Sequence, residues 1–250
     1  MTLKLVTWNV NSLKVRLPRV LEFLGEHAPD VLCLQETKTE AEAFPAEELA
    51  AAGYAVVHHS AGRWAGVAIL STAPLTEPRA GLPGEPVPDE ARWIEATTHG
   101  LRVASTYVPN GRGLDSPEFP RKLAFLDAMA EHVGDVDVLV GDLNVTRSDV
   151  DVYDPAAFAG STHVTPAERE RLERLLDADH VDAFRHVHGD DAVGFTWWDY
   201  RQGHFHRKLG LRIDYVIGPP DGLETCGIDR SYRKGSKPSD HAPLIATWAR

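Results

Sequence analysis

The sequence predicts an α/β protein built around a mixed β-sheet. Short segments rich in Val, Ile, Leu, Thr, Tyr or Trp, bounded by Gly, Pro, Asp or Asn, recur along the chain and are typical of strands. Longer segments with helical character lie between them. Residues 92–98 and 101–108 flank His99-Gly100 and form a hairpin-like pair. Helices between strands, combined with a hairpin, favour a mixed sheet over a strictly alternating parallel one.

The strands and helices follow one another in a definite order. The predicted strands cover residues 3–8, 31–35, 54–58, 66–71, 92–98, 101–108, 136–140, 211–217 and 243–248. The predicted helices cover about 17–27, 45–52, 117–133 and 166–177. The last helix has the clearest start, because Thr165 is a suitable N-cap, Pro166 suits the first helical position and Glu168 completes a capping box. Gly53 is placed to end the second helix.

The chain has the organisation expected of one domain over residues 1–250. It contains no internal repeat and no low-complexity linker. Residues 146–163 combine Asp, Pro, Ala and Gly without periodicity, which predicts a long functional loop inside the domain. A domain boundary in this segment is the alternative.

Composition indicates a protein of a reducing compartment. With 250 residues, 43% of them hydrophobic, the chain can bury an ample core without disulfides. Cys33 and Cys226 lack the spacing of a zinc site and fit the role of unpaired core thiols. No apolar run approaches the roughly 18 residues of a membrane span. We therefore expect a cytoplasmic protein without a membrane partner.

The net charge of −11 argues, taken alone, against a nucleic-acid partner. The distribution of charge is more informative than the sum. Residues 230–238 contain four basic residues and no acidic one, and residues 201–212 contain four more basic residues. Either these are solvated loop charges, or they form a face that meets phosphates.

Polar clusters lie at the ends of three predicted strands. Glu36 follows the strand at 31–35, Asp142 and Asn144 follow the strand at 136–140, and Asp240-His241 precedes the last strand. Side chains at strand ends can converge even when they are far apart in sequence. Carboxylate and amide oxygens of this kind favour Mg²⁺ or Mn²⁺ over zinc. The clusters predict a metal-assisted hydrolytic site.

Each cluster also has a less specific interpretation. Glu36 alone could be a surface carboxylate, and a turn such as Gly141-Asp142-Leu143-Asn144 is a common structural loop. An imidazole that donates to a phosphoryl oxygen needs an acceptor on its other nitrogen. Asp214 is the candidate acceptor for His241, because an unpaired Asp within a strand-like run would be costly.

Eight short motifs add a family resemblance over essentially the whole chain. In order they are Thr7-Trp8-Asn9-Val10-Asn11, Leu34-Gln35-Glu36-Thr37-Lys38, Gly66-Val67-Ala68, Tyr107-Val108-Pro109-Asn110-Gly111, Gly141-Asp142-Leu143-Asn144, Phe195-Thr196-Trp197-Trp198-Asp199-Tyr200-Arg201, Gly210-Leu211-Arg212-Ile213-Asp214-Tyr215 and Ser239-Asp240-His241. With these motifs the chain resembles the exonuclease III family of abasic-site endonucleases, within the endonuclease/exonuclease/phosphatase superfamily.

The resemblance implies a four-layer α/β sandwich, in which two mixed sheets pack face to face with helices outside. It implies a monomeric, Mg²⁺-dependent DNA repair nuclease, with Mn²⁺ as a possible substitute. The expected reaction is hydrolysis of the phosphodiester 5′ to abasic sites in double-stranded DNA, with 3′→5′ exonuclease and 3′-end-cleaning activity. Two alternatives stay open: a phosphoesterase acting on a soluble phosphate ester, and a catalytically silent DNA-binding module.

The resemblance also implies roles for individual residues. Residues on the metal side are Glu36, Asn9, Asn11, Asp142, Asn144, Asp240 and His241. Catalytic residues are Tyr107, Asp142, Asn144, Asp214 and His241. Substrate-binding residues are Asn110, Trp197, Leu211, Ile213, Arg201 and Arg212. Asp142 is expected to take the proton from the attacking water, although His241 is not excluded as the base. Some family members have Asp where this chain has Asn11, so weaker metal binding is expected there.

Overall fold

The strands and helices were located in a computed structural model that describes residues 2–177 and 179–250, so Met1 and Ala178 of the predicted domain lie outside it. The strands are β1 (Thr2–Asn9), β2 (Val31–Gln35), β3 (Ala55–His59), β4 (Val67–Ser71), β5 (Thr76–Ala80), β6 (Trp93–Thr98), β7 (Leu101–Tyr107), β8 (Val138–Asp142), β9 (Val181–Asp182), β10 (Asp214–Gly218), β11 (Leu223–Ile228) and β12 (Leu244–Ala249). The helices are α1 (Leu13–His27), α2 (Ala46–Ala51), α3 (Glu118–His132), α4 (Pro166–Glu173), α5 (Ala183–His188) and α6 (His204–Arg207).

These strands form two six-stranded sheets. The first sheet has the order β11-β12-β1-β2-β4-β3, and the second has the order β5-β6-β7-β8-β10-β9. Strands β1 and β2 pair in parallel, as do β7 and β8, whereas the remaining pairs are antiparallel. Both sheets are therefore mixed, as predicted.

The alternation of side chains along each strand builds the layers. Leu5 on β1 and Val140 on β8 belong to one buried cluster between the two sheets. Trp8 on β1 belongs to a second cluster, which lies under helix α1 and includes Phe23 of that helix. Leu139 on β8 belongs to a third cluster, under helices α3 and α4. Because successive strand residues face opposite sides, both faces of each sheet are covered.

The result is a sandwich of four layers, with helices outside two packed sheets. This confirms the predicted fold class. Within the described residues, none of the helices combines the length and the apolar character that crossing a membrane requires.

Most predicted elements lie close to the observed ones, and the differences have local causes. Strand β10 starts at Asp214, because Leu211 instead makes isolated bridges to Val152 and Trp197. Helix α1 starts at Leu13, four residues before the expected start, and α4 ends at Glu173, four residues before the expected end. Strand β5 was not predicted because its residues are exposed and include a proline, so they show no alternation. The other unpredicted elements are β9, β11, α5 and α6.

A buried ion-pair network fixes the segment before β10. The Nε atom of Arg212 lies 2.7 Å from Oδ1 of Asp151, and its Nη1 atom lies 3.0 Å from Oδ1 of Asp182. Arg185 also donates to Asp151. Asp151 lies in the long loop after β8, so the network ties this loop to β9 and to the start of β10. The expectation that Arg212 contacts substrate is wrong, because its side chain is 0% exposed and committed to two carboxylates.

We expect the substitution Arg212→Met to lower the free energy of unfolding by about 3–5 kcal/mol, because it leaves buried carboxylates without a partner. Urea denaturation measures this loss, and an unchanged m value would show that the unfolding remains two-state. The matched control is Arg121→Met, which removes a solvent-exposed partner of Glu118 and should leave the urea midpoint in place. An equal midpoint for the Arg212 variant and the wild type would contradict a stabilising role for the network.

Candidate functional site

The site lies where the inward-facing positions of both sheets change from apolar to polar. On β1 the inward row ends in Asn9, on β8 it ends in Asp142, and on β10 it begins with Asp214. All three side chains are buried. Tyr107 ends β7 next to them. The two-residue period of the strands thus carries polar groups of both sheets into the same seam.

A buried polar link joins the sheets beneath this seam. The hydroxyl of Thr7 donates to Oε1 of Gln35 at 3.1 Å. The Nε2 atom of Gln35 then donates to the hydroxyl of Ser105, in the other sheet, at 3.1 Å. Hydrogen bonds satisfy these groups where burial would otherwise be costly. The link separates the apolar core from the site above it.

Asn9 brings two carboxylates together. Its Nδ2 atom donates to Oε1 of Glu36 at 2.7 Å and to Oδ2 of Asp142 at 2.9 Å. The other oxygen of Asp142 accepts from the backbone N–H of Asn144 at 2.9 Å. Glu36 has a φ of +51°, in the left-handed region, at the turn that follows β2. The side chains of Asn9, Glu36 and Asp142, which sequence analysis had placed in one site, are in direct contact.

His241 is held between two aspartates. Its Nδ1 atom lies 2.8 Å from Oδ2 of Asp214, and its Nε2 atom lies 3.6 Å from Oδ2 of Asp142. Burial alone would lower the pKa of His241, but Asp214 and Asp142 outweigh it and raise that pKa to about 10. The imidazole therefore carries two protons at neutral pH. The predicted pairing of His241 with Asp214 agrees with the structure.

The pKa of Asp142 lies above the usual value of an aspartate. Burial raises its pKa to about 8, with Asp214 and Glu36 adding to the shift and His241 opposing it. An additional cation near these carboxylates would stabilise their charged forms. The donor set therefore fits a positively charged ligand.

The positions of the potential ligand atoms also fit a metal ion. Among the described residues, Glu36, Asp142 and His241 can present ligand atoms that all lie within 4.8 Å of one another. The ammonium of Lys38 lies 2.6 Å from Oε2 of Glu36 and 2.6 Å from Oδ1 of Asn11, so these oxygens already gather around a cation. Such hard oxygen ligands suit Mg²⁺. The proton on Nε2 favours His241 as a donor to an anion over a role as a metal ligand.

Asp240 connects the acidic seam to Trp197. One oxygen of Asp240 accepts from Nδ2 of Asn11 at 3.0 Å, and the other accepts from the indole N–H of Trp197 at 3.1 Å. Trp197 is half-buried, whereas Leu211 and Ile213 are buried in a cluster to which Trp197 is packed. Of these three expected substrate-binding residues, Trp197 is therefore the one with an accessible face. Its neighbour Trp198 is 2% exposed and belongs to the core.

Asn144 and Asn110 form a separate pair at the other side of the seam. The Oδ1 atom of Asn144 accepts from Nδ2 of Asn110 at 3.3 Å, and its Nδ2 atom donates to the carbonyl of Val108 at 3.0 Å. Asn110 is exposed and Asn144 is buried. Tyr107 lies beside them, with Arg92 over its ring at 4.8 Å. Burial raises the pKa of Tyr107 well above its usual value, and the negative charges of Glu36 and Asp142 raise it further. The hydroxyl of Tyr107 therefore stays protonated.

The two predicted basic segments are divided between surface and interior. Arg201 is exposed and forms an ion pair with Asp199. Arg233 is buried and donates to the carbonyls of Trp198 and Ser239. Arg201 lies outside the cluster of acidic and amide side chains. Only the exposed members of these segments can meet a large anionic ligand, because buried ones such as Arg233 are committed to contacts inside the protein.

Two contributors were not assigned from the sequence. Lys38 was part of a quoted motif, and its position two residues after Glu36 was the available signal. Arg16, on helix α1, donates to the carbonyl of Asn11 at 2.6 Å and to that of Pro238 at 3.2 Å. No pattern in the sequence indicates this contact, because its partners lie at opposite ends of the chain.

The first and last segments of the chain meet at the site. The indole N–H of Trp8 donates to the carbonyl of His241 at 3.2 Å. The hydroxyl of Ser239 donates to the carbonyl of Asn9 at 2.7 Å. Strand β1 also pairs with β12 along most of its length. The residues that surround Asp142 are therefore supplied by both ends of the sequence.

Known proteins are similar to this chain in sequence and in fold. A family model described as the endonuclease/exonuclease/phosphatase family matches residues 6–241. An exodeoxyribonuclease of Bacillus subtilis (strain 168) is 31% identical over 97% of this chain and 98% of its own length. Exodeoxyribonuclease III of Haemophilus influenzae is 32% identical over 98% of this chain and all of its own.

Two solved structures are similar over 99% of this chain and 100% of their own. The 3′ phosphatase NExo from Neisseria, bound to a product DNA hairpin, has a TM-score of 0.95 and 39% identity. An AP endonuclease from Archaeoglobus fulgidus has a TM-score of 0.95 and 35% identity. The chain therefore belongs to the endonuclease/exonuclease/phosphatase family, and the predicted resemblance to exonuclease III is confirmed.

Proposed function

We propose that the chain is a divalent-metal-dependent DNA repair nuclease that hydrolyses the phosphodiester 5′ to abasic sites in double-stranded DNA and also acts at 3′ ends. The observation that carries this proposal is the seam itself, where Glu36, Asp142 and the His241–Asp214 pair surround one space. The names of the relatives, which include exodeoxyribonucleases, an AP endonuclease and a DNA-bound 3′ phosphatase, support the choice of DNA as substrate.

We assign the cation to the oxygen atoms around Glu36. Lys38 contacts both Glu36 and Asn11, and Asn11 in turn contacts Asp240. Asp142 lies across from Glu36. Mg²⁺ is the preferred ion and Mn²⁺ a substitute, because both take oxygen ligands. When bound, the ion supplies positive charge at the scissile phosphate.

The two groups that could act as base have different protonation states. Asp142 is held through both oxygens. Its raised pKa makes its ionised form a stronger base than an ordinary aspartate, and a cation at Glu36 would keep that form populated at neutral pH. His241 keeps its protons through Asp214, so it suits donation from Nε2 to a phosphoryl oxygen. We therefore assign Asp142 as the base that accepts the proton of the attacking water.

The remaining side chains complete the reaction. The water oxygen bonds to phosphorus and its proton passes to Asp142, while the bond from phosphorus to the 3′ oxygen breaks. The departing 3′ oxygen takes a proton from solvent, which leaves a 3′ hydroxyl and a 5′ phosphate on the abasic sugar. Tyr107 keeps its hydroxyl proton and can donate it in a hydrogen bond to developing negative charge. The amides of Asn110 and Asn144 suit a second phosphoryl oxygen on their side of the seam.

Substrate selection is assigned to the accessible face of Trp197. A sugar without a base is small and leaves the duplex with little loss of pairing, so a confined apolar surface can select it. The bond from the indole N–H to Asp240 fixes the ring next to the acidic seam. Exposed cations such as Arg201 and Lys237 are available for the DNA backbone.

A second candidate function is activity confined to 3′ ends. Two structures at 39% identity are described as a 3′ phosphatase and as a 3′–5′ exonuclease, which favours this narrower activity. Both candidates use the same seam and differ in whether an internal abasic sugar is accepted. Direct comparison of the substrates separates them.

The first prediction concerns substrate and metal. With Mg²⁺ we expect the chain to nick a duplex that contains one abasic site and to release phosphate from a 3′-phosphorylated hairpin, and EDTA should abolish both reactions. Gel electrophoresis of labelled DNA measures them. Cleavage of the hairpin alone would establish the narrower function. Rapid hydrolysis of a soluble aryl phosphate without cleavage of DNA would contradict the proposal.

The second prediction concerns the base. Asp142→Asn should lower kcat by about 10²–10⁴-fold, because the amide cannot accept the proton. Fluorescence anisotropy should show that DNA binding is largely retained. Asp190→Asn, at an exposed loop position, is the control and should cleave at the wild-type rate. A normal rate in the Asp142 variant would remove this residue from the mechanism.

The third prediction separates the two roles of Trp197. Trp197→Ala removes the ring and should lower kcat/KM for the abasic duplex on the order of tenfold or more. Trp197→Phe keeps an aromatic face but removes the indole N–H and part of the ring area, so it should retain more of this activity than Trp197→Ala. Calorimetric titration with Mn²⁺ should show little change for Trp197→Ala. Equal cleavage by the alanine variant and the wild type would rule out the pocket.

A further inference from the structure

A fully buried lysine lies beneath the two asparagines of the site. Lys122 on α3 and Glu168 on α4 are both 0% exposed, and the distance from Nζ to Oε1 is 2.5 Å. Lys122 lies on the face of α3 that also buries Phe125 and Met129. An apolar side chain would continue this face, so packing of the helix alone does not require a charge at residue 122.

The ammonium of Lys122 reaches two loops of the site. It donates to the backbone carbonyl of Asn144 at 2.6 Å and to that of Asn110 at 3.2 Å. It also contacts the hydroxyl of Thr162 at 3.0 Å. One carbonyl belongs to the loop after β7 and the other to the turn after β8. A single cation, with three N–H groups, therefore holds both loops at one point.

The pair with Glu168 keeps this cation in place. Burial lowers the pKa of Lys122, and the negative charge of Glu168 opposes that effect. Burial would raise the pKa of Glu168, but Lys122 and the donors around it bring that pKa below its usual value. Glu168 also accepts from the backbone N–H of His163 at 2.9 Å and from the hydroxyl of Thr165 at 2.7 Å. The carboxylate is thus fixed by α4 and by the segment that precedes it.

The two asparagines that Lys122 holds are linked to the acidic seam. The carboxamides of Asn110 and Asn144 contact each other at 3.3 Å. The backbone N–H of Asn144 donates to Asp142 at 2.9 Å. Movement of either loop would therefore change both the amide pair and the position of the carboxylate. Displacements well below the size of a residue are enough to slow a reaction that depends on orientation.

We propose that Lys122 is a positioning residue for nucleolytic cleavage, which holds the backbone of Asn110 and Asn144 so that their carboxamides meet the scissile phosphate. The proposal rests on the proposed function, because it takes these amides as part of the phosphate-binding side. Glu168 acts through Lys122 and does not contact the phosphate.

The central test is the double variant Lys122→Met with Glu168→Met. It removes both charges together, so no buried charge is left without its counter-charge. The carbonyls of Asn110 and Asn144 and the backbone N–H of His163 do lose their partners, which lowers stability. We expect a lower thermal midpoint with cooperative unfolding retained, a kcat reduced severalfold and by at most about tenfold, and a KM within about twofold of the wild type, since tenfold in rate corresponds to about 1.4 kcal/mol. Amide hydrogen exchange should become faster in residues 108–112 and 143–146.

Two further variants make the comparison specific. Lys122→Gln with Glu168→Gln keeps N–H donors at the same place without a charge, and should recover part of kcat. Asp127→Ala with Arg171→Ala removes an ion pair that joins the same two helices, α3 and α4, away from Asn110 and Asn144. This control should keep the wild-type kcat. If the methionine variant does not fold, the glutamine variant takes its place, with kcat expected between the wild-type value and one tenth of it.

The DNA substrate is whichever of the abasic duplex and the 3′-phosphorylated hairpin the wild type cleaves. A wild type that cleaves neither would overturn the proposed function. A wild-type kcat in the methionine variant would overturn the role of Lys122 and leave the proposed function intact. Equal losses in the control at Asp127 and Arg171 would also overturn it, because they would indicate a general loosening of α3 on α4.

Discussion

The two-residue period of the β-strands places the central functional groups. In both sheets the inward positions are apolar through most of the sandwich, as at Leu5 and Val140. The same rows continue into Asn9 and Asp142, which contact each other at 2.9 Å. The site is therefore a direct extension of the core. The strand ladders on either side hold its groups in place, and burial keeps those groups away from bulk water.

Burial of charge gives this seam its chemical character. Asp142 and Asp214 flank His241, whose proton on Nδ1 is directed at Asp214. In such a setting a carboxylate holds its charge less readily than in water, and an imidazolium holds its proton more readily. In the proposed function, a cation at Glu36 would offset the carboxylates, and a phosphate would accept a hydrogen bond from Nε2 of His241. Binding of substrate and activation of water would then be parts of one electrostatic arrangement.

The groups that follow strong local patterns are predictable from the sequence. Glu36 and Asp142 stand directly after buried strands, and Asp214 interrupts an apolar run, so each is visible without knowledge of the fold. Arg212 was misassigned because its partners, Asp151 and Asp182, lie 61 and 30 residues away and only the fold reveals them.

Lys122 was missed for a similar reason, although a lysine on the apolar face of a predicted helix was a usable signal. The family resemblance supplied the four layers, since periodicity alone predicts strands without saying how two sheets face each other.

The contact between Trp8 and His241 has a further consequence for shortened forms of the protein. A nascent chain, or a proteolytic fragment that ends before residue 239, contains Glu36 and Asp142 but lacks the imidazole and the last strand beside β1. Hydrolysis at this seam therefore depends on the segment from residue 239 onwards as much as on the strands that carry Glu36 and Asp142.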